Sequence, residues 1–403
     1  MAADVRPAAA GDDGSTWSVL LCYAGMVAIA IAVNLPPIFL TTFSQTFGGP
    51  TGLSKEHLGL IGTVLFAGLV AGLLVAGPLA DRLGARAFVL VGSGLLAGGL
   101  GMMAASASYA MLLLAVGFLG LGTGVMDMIL SPIVAALRPD HRTSAMNWLH
   151  SFYSIGAVAT TLGGAVAIRL AASWPIFGWR NVCLAGIVVP LAVLAGFTRA
   201  MVPPLVAEDK QRTSSRVLLR SGAFLAALAA MVLVGGTELG MAQWLPAYAE
   251  EGLGYPKWAA GLALAAFSVM MAIGRLAGGV ISRHVAPIRL LVASCIAAVV
   301  LYLVGAYCPW RAAALAACVV MGLAVSGLWP TMLGMTADRF PHGGATMFAL
   351  LAALGNLGGT INMAIGAVAE RAGLHAAIAS VAICPAILMG VLLWLRGTAL
   401  RRP

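Results

Sequence analysis

The chain has 403 residues, 9% of them charged and 61% hydrophobic, with a formal net charge of +9. Soluble domains carry about 25% charged residues, so a chain this long and this apolar could not cover its surface in water. The basic excess does not describe a nucleic-acid face, because the arginines sit singly between apolar runs. Several of those runs reach the roughly 20 residues that a helix needs to cross a bilayer. The composition therefore predicts an all-α polytopic membrane protein with nearly all of its mass in lipid.

In chain order, residues 1–16 set Arg6 against Asp4, Asp12 and Asp13, a poor basic start for a cleaved signal, so the first span is expected to be retained. Twelve apolar runs follow, at about 18–40, 57–80, 87–106, 109–137, 145–168, 180–201, 221–248, 258–282, 288–307, 311–337, 344–369 and 374–396. With both ends of the chain on one side, that side holds sixteen lysines and arginines and the other side six. The positive-inside rule then puts both termini in the cytoplasm of a cytoplasmic (inner) membrane. The longest connection on that side is polar and basic, and it divides the chain into a six-helix bundle at 1–202, a linker at 203–220 and a second bundle at 221–403. Six cysteines lie in or beside the apolar runs without metal-type spacing and are expected to be core filler.

The halves repeat. A shift of 201 lays Phe66 on Phe267, Gly77 on Gly278, Arg82 on Arg283, Arg138 on Arg339 and His141 on His342. Arginine and histidine are scarce here, so their coincidence in one register carries more weight than matches among Ala, Leu and Gly. Parallel six-helix repeats are a transporter architecture, with the site between the halves near the bilayer midplane.

Between the second and third runs stands Gly77-Pro-Leu-Ala-Asp81-Arg82-Leu-Gly84-Ala-Arg86. It resembles the signature loop of the major facilitator superfamily, with Ala85 where many members have a second basic residue. Its counterpart in the second half keeps Arg283 but has Ser282 in place of the aspartate. The resemblance implies two pseudo-symmetric bundles and a charge cluster of Gly77, Asp81, Arg82, Arg86 and Arg283 that locks the cytoplasmic side. On the residues alone, Asp81 suits a helix N-terminus, and the alternative for the arginines is a topology signal with no gating role. Arg275, eight residues before Arg283, is expected to snorkel or to meet a carboxylate at the inner gate.

A charge in mid-bilayer is costly, which makes each one a functional candidate. Asp127 lies eleven residues before Arg138, roughly 16 Å deep, and His150 roughly 12 Å deep on the next span. Such a pair would take up and release a proton, since burial raises a carboxylate's pKa and histidine titrates near neutrality; Asp127 could instead join a structural network with Thr123 and Ser131. The run Asn147-Trp148-Leu149-His150, followed by aromatics and Gly156-Ala157, resembles the fucose-permease-like branch, which carries sugars with protons. Asn147 and His150 are one turn apart and would grip hydroxyls. Two departures from that branch are the lack of a carboxylate in the first span and Ser131 where members often have asparagine.

Glu238, Gln243 and Trp244 in the seventh run suit a hydroxylated solute, by hydrogen bonds and by stacking of the indole on a sugar face. Trp329 beside Pro330, and Asn356 among glycines, are further candidate liners. No hydrolase motif, nucleotide-binding loop, metal cluster or cofactor motif is present, so neither catalysis nor ATP hydrolysis is expected. The expected function is proton-coupled transport of a small polar solute, most naturally a sugar, by a monomer in the bilayer. The alternative is export of drugs or amphipathic metabolites through a methionine-rich adaptable site.

Overall fold

The computed structural model describes residues 12–138, 142–202, 215–281, 285–340 and 344–399, and those residues are overwhelmingly helical. Eleven stretches among them are long and apolar enough to cross a membrane. The longest, Met347–Leu395, has 49 residues, about twice what one crossing needs. It is broken at Gly373, whose φ of 84° lies outside the helical region, so it supplies two crossings. The chain is thus a multi-pass membrane protein, with twelve spans among the described residues.

Span one is Asp12–Ile38, span two Lys55–Leu83, span three Ala85–Ala105, span four Tyr109–Leu137 and span five Arg142–Ala171. Span six is jointed, as Trp179–Gly186 and Val188–Phe197. Spans seven, eight and nine are Gly222–Ala247, Lys257–Ile281 and Pro287–Tyr307. Span ten is jointed as Arg311–Val325 and Leu328–Arg339. Span eleven runs through Gly344–Leu357, a short tight turn at Gly358–Ile361, and Asn362 up to the break at Gly373. Span twelve follows the break and ends in Ile383–Ala399.

The starts of spans two to four are Lys55, Ala85 and Tyr109, and those of spans eight to ten are Lys257, Pro287 and Arg311, in every case 202 residues later. That is within one residue of the register read from side chains. Packing follows the same rule. Span two lies on four, three on four, one on five and three on six; in the second half eight lies on ten, nine on ten, seven on eleven and nine on twelve. Across the halves span two meets eleven and span eight meets five, the same relation twice.

The turn between spans two and three needs Gly84, whose φ of 82° a side chain would strain. This accounts for the glycine in the motif on backbone grounds alone. All six cysteines are free thiols, four of them buried. Most of the stretch expected as a linker lies outside the described residues.

Candidate functional site

The two ends of the molecule, here the Lys55 end and the Arg86 end, are built differently. At the Lys55 end the halves are tied together. The Lys55 ammonium pairs with Glu251, while its backbone N–H donates to Glu370. The Thr41 hydroxyl donates to Glu250 at 2.6 Å, and the Lys257 ammonium donates to Gln45 at 3.0 Å and sits 3.7 Å from Glu250. Arg169 lies over the Trp258 ring at 5.5 Å. Further in, the Thr63 hydroxyl donates to the Thr360 carbonyl at 2.9 Å and accepts from the Met363 N–H at 3.0 Å. All of these ties between the halves lie toward this end.

Toward the Arg86 end a cluster of ionisable side chains stands between the halves and stays partly exposed. Arg275 of span eight lies 3.5 Å from Glu238 of span seven, with the arginine side chain 33% exposed and the glutamate 12%. The second carboxylate oxygen of Glu238, Oε2, is buried without a hydrogen-bond partner. From the other half, His150 of span five is exposed, and it is close enough to interact by charge with both Asp127 of its own half and Arg275 of the opposite one. No hydrogen bond or ion pair joins Asp127 to His150. Tyr153, one turn beyond His150, is approached by the Asn34 side chain and lies within the field of Glu238, Arg275 and Asp127. Thr123, one turn before Asp127, keeps a buried hydroxyl without a partner. Beside Glu238, the Tyr302 hydroxyl donates to the Thr237 carbonyl at 2.7 Å and ties span nine to span seven.

The structure brings together Asp127, His150, Glu238 and Arg275 of the expected residues, and adds Asn34 and Tyr153. Arg275 was expected at the inner gate, and its nearest ionic partner is Glu238. Counting Glu238 from Arg220 puts it in the outer half of the bilayer, but span seven continues through a wider helical turn, Tyr248–Gly252. From Gly252, Glu238 lies about 21 Å in, and from Lys257, Arg275 lies about 27 Å in. An arginine side chain spans that difference.

Other expected liners fall elsewhere. Trp244 is 1% exposed and Gln243 6% exposed, so the indole has no free face in this conformation. Trp329 is half-buried, its ring against Gly355 of span eleven. The Asn356 amide donates to the Ala352 carbonyl of its own helix at 3.0 Å. Arg86 donates to the Ala200 carbonyl at 2.6 Å, a tie between span three and the residues just past span six of its own half. Gly77 lies in the last turns of span two; the side chains of Asp81, Arg82 and Asn147, and all of Arg283, lie outside the described residues. Two cavities lie away from the charged cluster. One of about 390 Å³, mostly apolar, is lined by Ala227, Ile288, Met332, Asp338 and Phe340, and a polar one of about 550 Å³ lies around Ser44, Lys55, Glu251 and Glu370.

Among the described residues, twelve spans in two like-packed sixes, tied together at one end and with a partly exposed charged cluster toward the other, have a counterpart in sequence comparison. Residues 18–363 match the family described as Major Facilitator Superfamily. The chain belongs to the Major Facilitator Superfamily. The nitrate/nitrite transporter NarK2 of Mycobacterium tuberculosis, itself named as probable, is 26% identical over 321 residues, 76% of this chain and 78% of that one. The 4-hydroxybenzoate transporter PcaK of Pseudomonas putida is 29% identical over 175 residues, 43% of this chain, and the chain spans only 37% of its length. The uncharacterised transporter YgaY of Escherichia coli K12 is 32% identical over 180 residues, 44% of this chain and 42% of that one.

Among solved structures, a bacterial homologue of the human lysosomal transporter Spinster, inward-facing and occupied, superposes with a TM-score of 0.79 at 16% identity, covering 96% of this chain and 98% of the other. FucP in its outward conformation gives 0.64 at 21% identity, covering 95% and 99%. At these identities the likeness shows the superfamily fold and nothing finer.

Proposed function

We propose that this superfamily member is a proton-coupled symporter of a small, neutral, polyhydroxylated solute, a sugar or close analogue, working as a monomer in the cytoplasmic membrane. The single observation that carries this is the charge inventory of the cluster: Glu238 lies 3.5 Å from Arg275, and His150, which interacts by charge with both Arg275 and Asp127, adds the second carboxylate to the group. With both acids ionised and His150 neutral the cleft is net negative, and it reaches neutrality only by taking up a proton. Such a site rejects a bare anion and binds a neutral solute best when protonated, which is what symport requires. Asn34, Tyr153, His150 and Glu238 supply donors and acceptors for hydroxyls. Asn147, from its position one turn before His150, is assigned to the same lining.

The loop charges favour placing the Arg86 end and both termini in the cytoplasm. In that orientation the ties at the Lys55 end close the outside, and the conformation faces inward. Asp127 and His150 hold the coupling proton in this scheme, and Glu238 grips the cargo.

A second reading takes the cargo to be a small anion. It rests on Arg275, a third exposed in the cleft and held only by a 3.5 Å contact, and it suits the names of the nitrate/nitrite and 4-hydroxybenzoate relatives.

Counterflow in proteoliposomes separates the two, with radiolabelled sugars and polyols set against nitrate and 4-hydroxybenzoate. Sugar exchange that survives Asp127→Asn while accumulation driven by a pH gradient vanishes is the expected result. Accumulation that persists in that variant would remove Asp127 from coupling. Counterflow of either anion, with no response to any polyol, would replace the neutral-solute reading by the second.

A further inference from the structure

The apolar cavity of about 390 Å³ at the Arg86 end is lined only by the second half, and four helix ends frame it. Ala223 and Ile288 are the second residues of spans seven and nine, Arg339 is the last of span ten, and Leu395 lies in the last two turns of span twelve. Its mouth is therefore at the depth where the hydrocarbon of a bilayer gives way to head groups. Its volume falls within the range of ligand pockets, about 300–1,000 Å³.

The first half shows that the fold does not require such a cavity. The shift of 202 lays Met332, Met335 and Thr336, which line it, on Leu130, Ile133 and Val134, all three fully buried. Carried to spans seven and one, the same shift lays Ala223 on Leu21, which is buried and packs closely on span six: a methyl on Gly196 would stand 2.4 Å from it. Bulk that closes the first half is thus missing from the second, at a small residue on the cavity wall. The mouth is cationic. Arg339 is half-buried and lines the cavity, and among the described residues no hydrogen bond or ion pair holds its guanidinium. Arg220, three residues before Ala223, and Arg289, next to Ile288, are exposed at the same helix ends. Against these three arginines stands one carboxylate of the lining, Asp338, which is exposed.

The geometry points to a binding site for an anionic phospholipid of the leaflet at the Arg86 end, with one acyl chain in the cavity and the phosphate on Arg339. A free anion would leave the apolar wall uncovered, and an uncharged amphiphile would leave the guanidinium unpaired; a lipid phosphate with its chain satisfies both. Basic pockets between membrane helices recognise anionic head groups in this way. The lipid also stands behind the half of span ten beyond its joint at Ser326–Gly327. Leu328–Arg339 presents Met332, Met335 and Arg339 to the cavity and Trp329 to Gly355 of span eleven, so an occupied cavity braces that half-helix from behind.

The site depends on neither the cargo nor the coupling ion, so no solute enters its test. The full chain goes into phosphatidylcholine nanodiscs that contain a small fraction of phosphatidylglycerol with a diazirine on its acyl chain. Illumination and peptide mass spectrometry then map the adducts. The expected result is labelling of span ten at residues 332–340, displaced about fivefold more effectively by unlabelled phosphatidylglycerol than by phosphatidylcholine. Arg339→Gln should abolish that preference and Arg339→Lys should keep it. Ala223→Leu, which restores the bulk that Leu21 gives the first half, should lose the span-ten adducts, keep those on exposed Trp394 of span twelve, and melt no lower than the wild type. Equal displacement by the two lipids, or an undiminished preference in Arg339→Gln, would overturn the proposal at the head group. Unchanged span-ten adducts in a folded Ala223→Leu would overturn it at the acyl chain. Displacement by free oleate and not by phosphatidylglycerol would replace the phospholipid by a single-chain acid. If Ala223→Leu does not fold, the two Arg339 variants decide.

Discussion

Arg275 and Glu238, thirty-seven positions apart on adjacent spans, meet at 3.5 Å inside the membrane-spanning part of the chain. The contact is too long and too wet to be a major prop of the fold. An ion pair that is partly solvated contributes about 0–1 kcal/mol, and here the arginine keeps a third of its side chain exposed. Glu238→Gln should therefore melt within about 3 °C of the wild type in detergent. The same substitution should weaken exchange of the transported solute at least about tenfold, because a hydrogen bond from solute to a charged group contributes about 1.5–3 kcal/mol. Melting and the half-saturation of counterflow, measured on one preparation, check both. A large loss of melting temperature would recast Glu238 as structural.

The ties at the Lys55 end make a second prediction. Lys55–Glu251 and the Lys257–Glu250–Gln45 group are all partly exposed, so each contributes about 0.5–1 kcal/mol, and salt screens them. Losing both by Lys55→Met with Lys257→Met should move the population away from the closed Lys55 end by about fivefold or more. Raising ionic strength from 0.05 to 1 M should move the wild type the same way and the double variant much less. Alkylation of a cysteine placed at Thr41, buried among these ties, reads the opening directly. Equal salt responses in the two proteins would mean that apolar packing alone closes this end.

Much of the fold is legible in composition and hydropathy, because lipid allows only self-satisfied helices and each apolar run has one option. The joint in span ten at Ser326–Gly327 and the tight turn at Gly358–Ile361 are less so, since neither changes the hydropathy of its run. The site divides along another line. Asp127, His150 and Glu238 stand out because charge in an apolar run is rare. Tyr153 is one turn from His150 on the same helix face, and the i+3 spacing is the signal in the sequence that points to it. The pairing of Arg275 with Glu238 depends on where each helix ends, which counting from loop arginines does not supply. Trp244 shows the opposite failure: a tryptophan near polar residues suggests a sugar platform, and the fold buries it.

Span seven lies so close to span eleven that its glycines are packing residues. A methyl on Gly235 would stand 1.8 Å from the Gly355 carbonyl oxygen, which is backbone and cannot swing aside. Small residues at such crossings let membrane helices approach. Gly235→Ala should cost about 3 kcal/mol, the upper end of the overpacking range, and sharply lower the yield of monodisperse protein. Gly98→Ala is the control, since nothing lies within 4 Å of a methyl there. Thermal stability by size-exclusion chromatography distinguishes them; equal losses would mean that helix backbone effects and not the crossing decide.

Tyr153 gives the last prediction. Its phenol lies where Asn34 of span one and the charged groups of both halves converge, and its ring can be kept while the hydroxyl is removed. Tyr153→Phe preserves volume and stacking, so the melting temperature should change little. The Tyr23–Phe152 stack, with centroids 4.5 Å apart and planes 8° from parallel, stands next to it and should hold the backbone of span five in place. If the hydroxyl binds cargo, its loss removes one neutral hydrogen bond, about 0.5–1.5 kcal/mol, or roughly a two- to twelvefold rise in the half-saturating solute concentration. The ratio of gradient-driven accumulation to exchange should stay as in the wild type, because the proton-carrying pair is untouched. A fall in that ratio with unchanged half-saturation would transfer Tyr153 from the cargo side of the cleft to the proton side.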